Sequence, residues 1–197
     1  MNLNLEDKKF FIKIAKDALW SKLVNENFES YYKDKEIYRK KFGIFIKVFN
    51  QNILRGYGGI LKSDEDIVNT IQKITEKVCF KDYRFMPISK EEYNDIKFKI
   101  IIIEEIVKVN SFDEINKDKD GIIIRNKIQE SILFPFDIPD IYQEEFIKEA
   151  LLKADVDTNN ISEVEIFKIA NTVIDEEKLY ITPLSNTNNN SQNTENI

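Results

Sequence analysis

The sequence predicts an α+β fold in which helices and non-sequential strands are interspersed along one chain. Three observations carry that reading. Apolar residues recur at helical spacing in the separated segments 5–24, 67–78 and 142–154. Between them lie β-rich runs, most clearly 43–49 and 96–104. Asn50-Gln51-Asn52 supplies turn residues between two such runs, which is a hairpin signal.

Taken in order, Phe11, Ile14, Ala15, Ala18 and Leu19 fall at i, i+3, i+4, i+7 and i+8 and make 5–24 an amphipathic helix. Residues 28–41, rich in Tyr, Lys and Glu, read as a surface connection with a helical turn. Gly43 to Phe49 is a strand, and a second strand begins at Ile53. Ser63 and Asp66 form a capping box for a helix whose stripe is Ile67, Ile71, Ile74 and Val78. Pro87, with Ser89 and Glu92 as a second capping pair, marks a short helix near 90–95. In 96–104, Ile96, Phe98, Ile100 and Ile102 share one face, while the other carries Lys97 and Lys99 and then Ile101 and Ile103. A polar loop from Asn116 to Gly121 precedes two short strands, 121–125 and 130–134. Pro135 and Pro139 break the chain before the helix at 142–154, and Val164, Ile166 and Ile169 suggest a final strand or two. Residues 1–182 are read as one domain. The Asn/Thr-rich tail 183–197 has nothing with which to build a core and is expected to be disordered.

Composition narrows the function classes. With 197 residues, 42% hydrophobic and 32% charged, the chain is long enough for a real core and ordinary for a soluble globular domain. A net charge of −6 argues against a general nucleic-acid binder, which draws its affinity from Lys and Arg against phosphates. The start, Met1 to Lys9, is charged where a secretory signal needs an apolar segment, and the longest aliphatic run, Ile100 to Ile103, is far too short to span a membrane. The cytoplasm is the expected compartment. Cys79 is the only cysteine, which excludes an internal disulfide and a cysteine zinc cluster. There is no histidine, so the commonest general base near neutral pH and the commonest transition-metal ligand are both missing. No metal site and no cofactor is read from the sequence.

The most distinctive segment is Leu54-Arg55-Gly56-Tyr57-Gly58-Gly59, which holds three of the five glycines. It reads as a special turn, a bulge that lets two backbones approach closely, or a binding loop. No Gly-Lys-Ser/Thr follows, so it is not a P-loop. Asn116 to Ile123 imitates the first part of a calcium loop, but Lys127 stands where a bidentate glutamate is required. That stretch and Asp155 to Asn160 are both read as solvated turns. Asp82 and Arg84, two apart at a helix exit, either fix the turn or line a polar cleft. Glu104 and Glu105 end a buried strand. Cys79 lies beside the Ile71-Ile74-Val78 stripe and is read as a buried hydrophobe.

These segments together resemble the AMMECR-domain family over nearly all of residues 8–175. Ile14-Ala15-Lys16-Asp17-Ala18 is similar to the family's opening helix, and Gly43-Ile44-Phe45 with Leu54-Arg55-Gly56 to its signature hairpin. Lys81-Asp82-Tyr83-Arg84-Phe85-Met86-Pro87 through Glu91-Glu92 resembles its Asp-x-Arg-Phe-x-Pro segment. Asp120-Gly121-Ile122-Ile123, Leu133-Phe134-Pro135, Glu144-Glu145-Phe146 and Lys153-Ala154 parallel later blocks. The resemblance implies a single domain of two unequal lobes, with a mixed or antiparallel sheet packed by helices and a cleft at the signature loop. It implies association with a Memo-like protein and a radical S-adenosylmethionine protein, and a biochemical activity that is unsettled. The family signature reads Leu-Arg-Gly-Cys-Ile-Gly; here Tyr57 and Gly58 replace the cysteine and isoleucine. Ile101 stands where a serine is frequent, and Asp120 where a histidine is frequent.

The resulting expectation is a cytoplasmic accessory or ligand-binding protein. Arg55 would hold a small anionic or aromatic ligand, with Gly56, Tyr57, Gly58, Asp82 and Arg84 around it. The alternatives are an enzyme acting on a nucleobase or small aromatic compound through Tyr57 or Glu104, and a protein–protein adaptor.

Overall fold

In the computed structural model, which describes residues 1–28, 35–156, 161 and 164–179, five helices and two 3₁₀ turns pack on one six-stranded sheet. The tail 183–197 and Asp157 to Asn160 of the second calcium-like stretch lie outside the described residues.

Helix α1 (Leu5–Leu23) starts at the Asn4 cap, whose side chain accepts the Asp7 amide while Asp7 returns to the Asn4 amide. Its Phe11, Ile14, Ala15, Ala18 and Leu19 are all buried, as their spacing predicts. Helix α2 (Glu36–Arg39) is a single turn. Strands β1 (Gly43–Asn50) and β2 (Ile53–Ile60) form the predicted hairpin around Gln51 and Asn52, both in positive-φ conformations. Helix α3 (Ile67–Phe80) is capped by Asp66 alone; Ser63 instead accepts the Glu65 amide and bonds Thr70. The short helix expected near 90–95 is a run of turns, because Glu92 is drawn to Arg55 and β3 already begins at Ile96.

Strand β3 (Ile96–Val109) runs five residues beyond Glu104, where the sequence suggested its end. Its continuation is paid for by β6 (Glu165–Asp175), a single long strand that pairs with it from Lys99 to Val109. Strands β4 (Gly121–Arg125) and β5 (Glu130–Leu133) complete the sheet, and α4 (Gln143–Lys153) packs on them. A four-residue helix, α5 (Glu176–Leu179), follows β6. The strand order is β2-β1-β3-β6-β4-β5, and every pairing is antiparallel.

The period-2 alternation decides where the cores lie. Ile44, Ile46 and Val48 of β1 and Phe98, Ile100 and Ile102 of β3 join α1 and α3 in the larger core. Val109, Ile122, Ile124 and Ile166 join Phe146, Ala150 and Leu151 of α4 in a smaller one. On the opposite face Phe45, Ile101, Ile103, Ile123, Phe134 and Ile169 form a third cluster. The outer face near Lys97 and Lys99 is only partly buried and closes over at Ile101 and Ile103, as the sequence predicts.

The Asn116–Asp120 loop is a turn held by its own side chains. Asp120 accepts the Asn116 amide at 2.9 Å, and Asn116 accepts the Asp118 amide at 2.9 Å. Among the described residues no helix is long and apolar enough to cross a membrane, and no group of three or more Cys, Asp or Glu is arranged to hold a metal ion.

Candidate functional site

The glycine segment is not a loop but part of an edge strand, β2. Phe49 pairs with Leu54 and Val48 with Gly56, so Arg55 is the extra residue of a β-bulge. A bulge turns its residue out of the regular alternation, and here it directs Arg55 towards the segment that follows α3. Arg55 Nε donates to Glu92 Oε1 at 2.7 Å, and Nη2 to Glu92 Oε2 at 3.0 Å and to the Met86 carbonyl at 3.3 Å. Glu92 also accepts from the Asn50 amide at 3.2 Å and from the Ser89 N–H at 3.0 Å. The Arg55 guanidinium, helped by these amides and opposed by burial, holds the Glu92 carboxyl down at about 2.

Two residues on, the exposed backbone of the edge strand is closed by side chains. The Tyr57 N–H donates to Asp82 Oδ2 at 3.3 Å, and its carbonyl accepts from Arg84 Nη2. Arg84 also grips Asp82 with two bonds, Nε to Oδ1 at 2.8 Å and Nη2 to Oδ2 at 2.7 Å. The Asp82 carboxyl lies at about 2, chiefly through Arg84. An Asp-x-Arg segment thus stands where a neighbouring strand would otherwise pair.

Glycine is required where α3 and β1 press on this strand. A Cβ on Gly56 would lie 2.7 Å from both Cγ1 and the carbonyl oxygen of Val78, and one on Gly59 would lie 2.3 Å from the Ile44 carbonyl oxygen. No glycine has a positive φ, so close approach is the reason for them. Gly58 is different: its nearest neighbour would be Val78 Cγ2 at 3.4 Å.

The Tyr57 side chain lies half-buried on the outer sheet face. Lys47 is 5.0 Å from its ring centroid and 5.1 Å from that of Phe136, and ion-pairs with Asp137. The Tyr57 hydroxyl has no hydrogen-bond partner among the described residues. Burial first, and the Asp137 charge second, push its pKa above the ordinary tyrosine value, with Arg84 opposing.

The other candidates lie elsewhere. Tyr57, Lys47 and Lys99 share one row across β2, β1 and β3, whereas Glu104 is five residues further along β3, about 17 Å away. Glu104 is itself the extra residue of a bulge between Ile103 and Glu105, where it accepts from Thr172 and pairs with the Met1 ammonium. Burial works to raise its pKa, and the ammonium and Thr172 outweigh it, so the net shift is downward. Cys79 is buried in the larger core, which pushes its thiol up to about 12 against the opposing charge of Arg55.

The structure therefore joins Arg55, Gly56, Tyr57, Gly58, Asp82 and Arg84 in one edge and leaves Glu104 outside it. Sequence reasoning missed Glu92 as the partner of Arg55, because its spacing from Ser89 also satisfies a capping pattern. Lys47 and Asp137 were missed as well. The available signal was a lone lysine inside the apolar run of β1.

A family model described as AMMECR1 matches residues 12–173. The chain belongs to the AMMECR1 family. A protein of Sulfolobus acidocaldarius is 29% identical to this AMMECR1 chain over 168 residues, covering 78% of it and 73% of the relative. Protein MJ0810 of Methanocaldococcus jannaschii is 27% identical over 165 residues, covering 77% and 80% of the two chains. The crystal structure of uncharacterized protein PH0010 from Pyrococcus horikoshii superposes with a TM-score of 0.73 at 21% identity, over 83% of this chain and 88% of that one. The likeness to PH0010 supports the AMMECR1 fold: one domain, built on a sheet shared by a larger and a smaller core.

Proposed function

We propose that this AMMECR1-family chain is a non-catalytic accessory protein of the cytoplasm that binds a small anionic or aromatic ligand at the β2 edge. The observation that carries the reading is the state of the groups nominated for chemistry. The Tyr57 phenol is kept neutral by its raised pKa, Glu104 is held below the ordinary glutamate range and lies far along β3, and Cys79 is buried with its thiol near 12. None is poised to exchange a proton near pH 7. Recognition falls to Arg84, whose Nη1 has no partner among the described residues, and to the ring of Tyr57. Arg55 and Asp82 hold the frame. The family resemblance supports a Memo-like protein and a radical S-adenosylmethionine protein as the partners that would deliver or use the ligand.

The test is native mass spectrometry of the protein recovered from source-like cells, comparing wild type with Arg84→Lys and Tyr57→Phe. Lysine keeps the charge beside Asp82 but not the second guanidinium edge. A bound species that is lost from Arg84→Lys and retained by Tyr57→Phe is expected. Identical spectra from all three proteins would overturn the proposal. Turnover of any candidate substrate that vanishes with Tyr57→Phe would replace it with the enzymatic reading.

One observation favours the adaptor as a second reading. Tyr83 (96% exposed), Met86 (78%) and Ile53 (67%) stand on two segments pinned together by the Arg55 and Arg84 contacts. Aromatic residues and methionine are enriched at protein interfaces. A partner retained by wild type and lost with Tyr83→Ser/Met86→Ser would favour that reading.

A further inference from the structure

At the end of the sheet away from Gly43, the hairpin turn, the start of β3 and the end of β6 frame an open pocket of about 150 Å³. The strand register sets its floor. Phe49 is opposite Lys97, and Lys99 is opposite Asp175. The polar lining divides by sign: Lys97 and Lys99 come from β3, whereas Asp175 and Glu177 come from the end of β6 and the start of α5. Lys99 and Asp175 satisfy each other at 3.1 Å, and Asp175 also accepts the Glu177 amide at 3.2 Å, so they form a fixed polar wall. Phe49 supplies an aromatic wall, 5.9 Å from the Lys99 ammonium. The side chains of Asn52 and Glu177 have no partner among the described residues. Lys97 makes only a 3.6 Å ion pair with Glu176.

We infer that this pocket binds a small free α-amino acid through both of its charges. The ligand carboxylate meets the Lys97 ammonium and the Asn52 amide, its ammonium meets the Glu177 carboxylate, and its side chain lies against Phe49. With Lys99 and Asp175 satisfied by each other, a simple anion of the same size would face the unpaired Glu177 carboxylate, and a simple cation would face the loosely paired Lys97 ammonium. Only a ligand carrying both signs answers both halves of the lining. A volume of about 150 Å³ suits a ligand the size of a small amino acid such as alanine. The inference does not depend on what binds at the β2 edge.

The test is a chemical-shift titration of the ¹⁵N-labelled full chain with L-alanine, acetate and ethylamine, followed into the tens-of-millimolar range. L-alanine is expected to give saturable shifts confined to residues 49–52, 97–99 and 175–177, with acetate and ethylamine each at least tenfold weaker. Glu177→Gln changes one exposed side chain and is expected to weaken alanine binding about tenfold, while the rest of the spectrum stays in place. The inference is overturned by the absence of saturable alanine shifts, by acetate binding as well as alanine, or by unchanged alanine affinity in Glu177→Gln.

Discussion

Replacing Gly56 by alanine isolates the close approach that shapes the signature strand. The added Cβ would sit 2.7 Å from Cγ1 and from the carbonyl oxygen of Val78, about 0.7 Å inside the shortest ordinary contact, 3.4 Å. Neither obstacle yields easily. A valine in a helix has one strongly preferred rotamer, and the carbonyl belongs to the backbone of α3. The helix must therefore back away from β2, and overpacking of this kind costs about 1–3 kcal/mol. Gly58→Ala, two residues along the same strand, is the control. Its Cβ meets only Val78 Cγ2 at 3.4 Å, and its φ is not positive. Restricting the unfolded chain there stabilises by about 0.4–1 kcal/mol. The two variants should therefore differ by about 3 kcal/mol. With a urea dependence of about 1–3 kcal/mol per molar, that gap separates their midpoints by roughly 1 M or more at unchanged slope. Equal midpoints, or a larger loss in Gly58→Ala, would refute the close-approach account of these glycines.

Other perturbations act on the ion pairs and the thiol. Glu92 and Asp82 both titrate near 2 in the folded chain, below the ordinary carboxylate values of about 4. Their contribution is thus fully present above pH 4 and lost as the pH falls towards 2, and Glu92→Gln should flatten that part of a melting-temperature profile. Arg55→Ala removes the charge-assisted bonds to Glu92 and should cost about 2 kcal/mol in urea unfolding, whereas Arg55→Lys should restore part of it. Cys79 should resist a thiol reagent in the native protein and react at once in denaturant. Rapid native labelling would show that the larger core is open at α3.

The parts of the fold legible in the sequence are those fixed by local periodicity. The stripe of Ile67, Ile71, Ile74 and Val78 is the buried face of α3, and the alternation from Ile96 to Ile102 assigns its residues to the larger core. Long-range pairing was not legible. Glu104 and Glu105 look like a strand end because they are charged, yet β6, some sixty residues later, carries the ladder past them to Val109. The glycine segment resembles a turn because glycine is rare in strands. Its strand character comes from the ladder with β1, and its glycine at 56 from Val78, which leaves no room for a side chain there. The site was half legible for the same reason. Asp82 and Arg84 are two apart and their pairing can be read locally, whereas Arg55 and Glu92 are 37 apart and meet only through the bulge.

Strand β3 places Phe98, Ile100 and Ile102 in the larger core, Ile101 and Ile103 in the cluster on the opposite face, and Val109 in the smaller core. With β6 bonded along most of its length, it acts as a splint laid across the whole molecule. Among the described residues no single-stranded joint separates the cores about which they could swing as rigid bodies. Opening one core strains the ladder shared with the other, so heat or denaturant should take both down in a single step. Motion that admits a ligand or partner must then arise at the periphery, in side chains and turns, while the sheet beneath keeps its shape.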